Sequence, residues 1–245
     1  MKTHRLFTAL LCFILSVMAN AETYVVAVGI AKYQNIPSLV LPENDAKTIA
    51  KLYKTRTKKV ITMTGRYATR ANIVKAMNDQ FKRAKEGDMI VFFFSGHGYE
   101  GGFCPYDMDV KEKNALSYED VYSTFKQSKA KRKVVIADAC MSGGLRKEKQ
   151  TSHSIPSHPS DVVLFLSSRT KEYSIESRKM KNGYFTTYLD RGLRGGADAN
   201  RDRVITAKEI FTFVSNGVKE ISKDKQHPVM WGNFNDNFIL VDWRR

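Results

Sequence analysis

The chain has 245 residues, 42% of them hydrophobic, and carries 40 lysines and arginines against 25 acidic residues, a formal charge of +15. That length and apolar content suit one large α/β domain and exclude a disordered or low-complexity chain. Three cysteines are too few for a disulfide framework, and the basic excess is spread over "YKTRTKK", "FKRAKE" and "KAKRK" without a groove motif. Solvated helix faces and an anionic envelope account for that charge better than specific nucleic-acid binding.

In chain order, "MKTHRLFTALLCFILSVMANAETY" comes first, with Lys2 and Arg5 ahead of an apolar run from Leu6 to Met18. Ala19-Asn20-Ala21 supplies an A-x-A cleavage site, so residues 1–21 read as a signal peptide and residues 22–245 as the exported domain. The run is shorter than the roughly 20 residues a membrane span needs, and no later segment approaches that length. The expected location is the periplasm or the extracellular space. Cleavage would remove Cys12 and leave Cys104 and Cys140, as a bridge or as two thiols.

Strands and helices then alternate. "TYVVAVGI" reads as a strand and "PENDAKTIAKLYK" as a helix opened by Pro42. "KKVITM" is a second strand. "TRANIVKAMNDQFKRAKE" is a helix capped by Thr69, with Ile73, Ala76, Met77 and Phe81 on one face. "GDMIVFFFSG" is a third strand, which the glycines are expected to end in a tight turn. "SYEDVYSTFKQS" is a helix capped by Ser117, and "RKVVIADAC" and "SDVVLFLSS" are a fourth and a fifth strand. Near-continuous apolar strands separated by amphipathic helices imply a mostly parallel sheet with helices on both faces.

In such sheets the functional crevice lies at the carboxyl ends of the strands. His97 ends the third strand in Ser95-Gly96-His97-Gly98, and Cys140 ends the fourth in Asp138-Ala139-Cys140. Either residue alone has a bland reading, a turn histidine or a buried cysteine. Together on one rim they form a thiol and a base: an imidazole lowers the pKa of a nearby thiol and returns the proton to a leaving amine. Backbone N–H groups freed by the adjacent glycines suit a tetrahedral oxyanion.

"FFFSGHG" and "VVIADACMSGG", about forty residues apart, resemble the caspase-like cysteine peptidases, in particular the bacterial metacaspase-like members. "YVVAVGIAKYQ", "LPENDAKTIA", "FCPYD" and "GYFTTYLDRGLRGGADANRD" extend the resemblance over the whole chain beyond residue 21. It implies a caspase-like three-layer sandwich and an endopeptidase acting through an acyl-enzyme, with His97 and Cys140 as the dyad. It also implies an oxyanion hole from the N–H groups of Gly98 and Cys140. Where caspases carry glutamine two residues before the nucleophile, this chain has Asp138, as metacaspases do. The expected substrates are therefore peptides or proteins cleaved after Arg or Lys, with Asp138, Asp45 and Ser95 lining the first pocket. Asp45 also has a local role available, since a carboxylate near a helix N-terminus is stabilised by the dipole.

Three further features of the chain bear on function. In "DANRDRVITAKE", Asp198, Asn200, Asp202, the Val204 carbonyl, Thr206 and Glu209 fall at calcium-loop positions, but Arg203 replaces the usual glycine. Thr206 and Glu209 equally form a capping box for "AKEIFTFVSNGVKEI". Calcium is thus an open expectation, and no cofactor is required for the chemistry. His153 and His158 lack further ligands at metal-binding spacing. Their loop, residues 145–160, reads instead as a self-cleavage site, with Arg146, Lys147 and Lys149 as candidate positions. The competing class of function is a catalytically silent caspase-like binding module.

Overall fold

In the computed structural model, the described residues are 21–99, 101–140, 162–169, 172, 174–175, 180–232 and 237–244; Cys140 is described by its backbone only. The central sheet holds strands β1 (Thr23–Gly29), β2 (Val60–Thr64), β3 (Met89–Tyr99), β6 (Arg132–Cys140), β7 (Val162–Leu166) and β9 (Val229–Trp231) in the order β2-β1-β3-β6-β7-β9. All its pairings are parallel except β7 with β9. Among the described residues five α-helices accompany it: α1 (Pro42–Lys54), α2 (Arg70–Phe81), α3 (Tyr118–Lys126), α4 (Tyr184–Arg191) and α5 (Ala207–Ile221). Short strands β4 (Gly102–Phe103) and β5 (Leu116–Ser117) extend from the end of β3, and β8 (Val204–Thr206) pairs with β10 (Ile239–Asp242) apart from the main sheet.

Two hydrophobic clusters sandwich the sheet, and strand periodicity assigns residues to each. Ile90, Phe92 and Phe94 of β3 join Val135 and Ala137 of β6 and pack with Ile73, Met77 and Phe81 of α2. Val91, Phe93, Val134 and Ile136 face the other way, toward Ile49 of α1, Leu189 of α4 and Ile210 and Val214 of α5. Burial on both faces explains why these strands are apolar almost throughout rather than alternating. The sandwich is the expected three-layer arrangement.

The helix starts follow their caps. Thr69 accepts the Asn72 N–H, and Ser117–Asp120 and Thr206–Glu209 form reciprocal capping boxes. One helix ends earlier than its sequence pattern suggests. α2 stops at Phe81 because Ala84 N–H turns back to the Phe81 carbonyl and the Asp88 carboxylate takes the Lys85 N–H, steering the chain into β3.

A second difference bears on function. The strand β3 is not ended by the glycines of "SGHG". It continues through His97 to Tyr99, pairing with β6 on one side and β4 on the other. The histidine therefore sits on hydrogen-bonded backbone rather than in a loop.

Candidate active site

The register of β3 against β6 places Ser95 opposite Asp138, Gly96 opposite Ala139 and His97 opposite Cys140. Both motifs thus end at one point on adjacent parallel strands, on the carboxyl rim where open α/β sheets bind ligands. Gly98 follows at once, buried and paired with Phe103. The side chain of Cys140 and the loop 145–160, with Arg146, Lys147 and Lys149, lie outside the described residues, as do His153 and His158.

His97 is held at its ring and at its backbone. Its Nε2 lies 2.9 Å from the Pro37 carbonyl oxygen. A carbonyl only accepts, so Nε2 carries the hydrogen, and Nδ1 is the ring nitrogen able to accept a proton. The backbone N–H of His97 donates to the Tyr33 hydroxyl at 2.7 Å, and the two rings lie 5.0 Å apart between centroids. Neither Pro37 nor Tyr33 is singled out by sequence pattern. A backbone carbonyl leaves no residue signature, and Tyr33 lies 64 positions from its partner.

Asp45, Ser95 and Asp138 come together behind the rim. The Ser95 hydroxyl donates to Asp45 Oδ2 at 2.8 Å, and Asn182 Nδ2 and Gly183 N–H both donate to Asp45 Oδ1, at 2.9 and 3.0 Å. Asp138 Oδ2 accepts from the Thr186 N–H at 3.1 Å and the Thr186 hydroxyl at 2.7 Å, while Oδ1 accepts from Ser174. A methyl built on Gly183 would stand 2.8 Å from Asp138 Oδ2 and 3.6 Å from Asp45 Oδ2, so one point neighbours both carboxylates. They are only 2% and 5% exposed. Burial, reinforced by the charge of Asp138, pushes the Asp45 carboxyl up to about 7 against the opposing hydrogen bonds from Asn182, Ser95 and Gly183.

The partners from Asn182 to Thr186 lie outside the site residues that the sequence motifs point to. They belong to the amino end of α4, whose first free N–H groups point at the acidic pair. The amphipathic pattern of "YFTTYLDR" after Asn182-Gly183 is the signal that marks this helix start.

Cys104 is a free, buried thiol, so the bridge to Cys140 left open by the sequence is not formed. Burial, with the charge of Glu112 adding to it, pushes that thiol up to about 12, which makes it inert as a nucleophile.

The calcium-pattern loop is organised by its own backbone. Asp198 accepts the N–H groups of Asp202 and Arg203, Asp202 accepts that of Val204, and Glu209 closes the capping box with Thr206. Asn200 accepts the Asp202 N–H, and Arg203 takes the positive φ of 65° that a glycine would adopt more readily. Among the described residues, no group of three or more His, Cys, Asp or Glu is arranged to hold a metal ion.

Comparison with known proteins settles the family. Residues 22–239 match the model of the caspase domain. The chain belongs to the caspase-domain family of peptidases. A probable protease from a Desulfuromonadales bacterium is 26% identical over 176 residues, 62% of this chain and 22% of that protein. The match thus spans about a fifth of that relative's length. Among solved structures, a protein of Geobacter sulfurreducens superposes with a TM-score of 0.67 at 17% identity, covering 90% of this chain and 97% of its own. Caspase-1 from Spodoptera frugiperda gives a TM-score of 0.66 at 15% identity, with 91% of each chain covered. The fold is therefore caspase-like, as the sequence motifs imply.

Proposed function

We propose that this protein is an exported cysteine endopeptidase of metacaspase-like type that cleaves peptides after Arg or Lys through the dyad of His97 and Cys140. The observation that carries the reading is the strand register that sets His97 opposite Cys140, with Nε2 of His97 occupied by the Pro37 carbonyl. Nδ1 takes the thiol proton, and the Cys140 thiolate attacks the substrate carbonyl carbon. The resulting oxyanion is held by the N–H groups of Gly98 and Cys140. Collapse breaks the C–N bond, and the imidazolium gives its proton to the leaving amine. Water, deprotonated by the same imidazole, then hydrolyses the acyl-enzyme and restores the thiol. No metal enters any step.

The acidic pair supports a cationic residue before the scissile bond. Two desolvated carboxylates attract a guanidinium or ammonium and repel an acidic side chain, giving selection in both directions. The direct test uses three matched peptide reporters that differ only in Arg, Lys or Asp at that position. Hydrolysis of the Arg and Lys peptides, with the Asp peptide slower by at least about 100-fold, is the expected result. Preference for the Asp peptide removes the pocket assignment.

Self-processing follows from the same specificity. An enzyme that cuts after basic residues carries Arg146, Lys147 and Lys149 just beyond its own nucleophile. Tethering gives that segment a high effective concentration. Purified protein is expected to accumulate two fragments with a junction after one of these three residues. They should stay associated, because Val162–Leu166 pairs with β6 on one side and β9 on the other. Intact-mass spectrometry after prolonged incubation, with and without calcium, decides the matter. A single full-length species under both conditions rules self-processing out and leaves the dyad standing.

A further inference from the structure

We propose that Tyr33 is a positioning residue for His97, holding the imidazole in place at the strand position opposite Cys140 by gripping the histidine's backbone and ring at once. The proposal rests on the dyad reading above and adds to it a residue that acts through the histidine. Tyr33 is 9% exposed, and its hydroxyl accepts the His97 N–H at 2.7 Å while its ring packs on the imidazole. A phenylalanine would fill the same space. The hydroxyl is the part that reaches the backbone of the catalytic histidine.

The neighbouring residues are fitted to that contact. Gly96 has a φ of +155°, and a methyl there would stand 2.5 Å from the Tyr33 hydroxyl. The glycine before His97 thus makes room for Tyr33 and does not serve chiefly to expose the histidine. Tyr33 also lies on the same β1–α1 loop as Pro37, whose carbonyl fixes Nε2. That loop is tied down at several points. Ile30 N–H donates to the Ser95 carbonyl at 3.0 Å, Leu39 N–H to the Ala31 carbonyl at 2.7 Å, and Gln34 N–H to the Tyr106 carbonyl at 3.1 Å. Asn35 Nδ2 donates to the Met108 carbonyl at 3.3 Å. One anchored loop therefore sets the histidine's tautomer through Pro37 and its place through Tyr33. Removing one grip should let the ring drift, and a displacement of about 1 Å costs on the order of 100-fold in rate.

The test compares the wild-type full chain with Tyr33→Phe, Tyr33→Gln and His97→Ala. The first keeps the ring and loses the acceptor; the second returns an oxygen acceptor without the ring. Iodoacetamide labelling of Cys140, followed by peptide mass spectrometry across a pH series, reads the thiol–imidazole pairing without requiring peptide turnover. Cys104 does not compete, being buried with its thiol pushed up to about 12. For Tyr33→Phe the labelling midpoint is expected to move up, toward that of His97→Ala. On an Arg reporter, kcat should fall about 10- to 100-fold with KM changed less than about twofold. A residue that merely filled space would lower the thermal midpoint and leave the labelling curve in place. Wild-type labelling curves for both Tyr33 variants overturn the proposal. Loss of turnover in the wild type would remove the peptidase reading, and the labelling comparison would still decide the role of Tyr33.

Discussion

Replacing Cys140 with alanine is expected to abolish hydrolysis of Arg and Lys peptides, and replacing His97 with alanine to lower kcat by about 10,000-fold or more. The expectation comes from the division of labour at the end of β3 and β6. In the proposed mechanism Cys140 would supply the protein atom that bonds to substrate carbon, and His97 would act as base and acid in both half-reactions. Because the two act as one unit, the double variant should be no slower than either single one. Cys104 offers no rescue, since its thiol is buried and held protonated. The fold should survive both changes. His97 lies outside the two hydrophobic clusters that hold the sheet between its helices, and alanine is compatible with the strand that carries position 140. Circular dichroism and thermal melting check that point, and the Cys140→Ala protein should also remain a single chain. Near-wild-type turnover in a folded single variant would overturn the mechanism.

Much of this arrangement is written locally in the sequence, and the remainder depends on contacts between distant segments. The helix from Pro42 to Lys54, the strand from Arg132 to Cys140 and the helix from Ala207 to Ile221 coincide with their patterns. In each case periodicity and end signals agree: Pro42 opens one helix, and the Thr206–Glu209 box opens another. The nearness of His97 and Cys140 was also legible, because parallel strands that end in polar motifs present them on one rim. The continuation of β3 past Gly96 was not. Glycine signals a turn when only its neighbours are considered, and here a partner strand on each side keeps the backbone extended. The antiparallel edge strand β9 was hidden for a similar reason, since three residues, Val229–Trp231, carry too little pattern to announce a strand. Asp45 shows both halves of the lesson. Its place in the first turn of α1 follows from "PENDA", while its meeting with Asp138 arises only when α1 and the amino end of α4 close on the same sheet face.

That meeting supports the prediction with the second largest effect: Asp138→Asn and Asp45→Asn should each lower kcat/KM for Arg peptides by about 100-fold, or 3 kcal/mol, while sparing an uncharged analogue. Asparagine is the informative replacement because the hydrogen-bond pattern accepts it. At position 45 the amide oxygen keeps the donors from Asn182 and Gly183, and the amide nitrogen donates to the Ser95 hydroxyl oxygen. At position 138 the oxygen keeps both Thr186 donors, and the nitrogen faces Ser174. Charge is lost with little change of shape. The pH dependence provides a second signature. The Asp45 carboxyl is pushed up to about 7, mainly by burial and then by Asp138, so the unliganded pocket keeps a proton over much of the acid range. A folded-state pKa raised above the ordinary 3.8 means the folded chain holds that proton more tightly than the unfolded one. The stabilisation is therefore full below pH 3.8 and is lost as pH rises toward 7. Under the proposed specificity an arriving guanidinium would reverse the preference, since it would favour the doubly ionised pair and expel the proton. KM for an Arg peptide, divided by KM for its uncharged citrulline analogue, should fall as pH rises through about 7. The ratio cancels titration of the dyad, which both peptides share. In Asp45→Asn that slope should vanish. A competing role is available, because Gly183 and Thr186 give their N–H groups to these carboxylates at the start of α4. If the pair serves only as that helix's cap, the Asn variants will shift the melting temperature and leave the Arg-to-citrulline ratio and its pH slope as they are in the wild type.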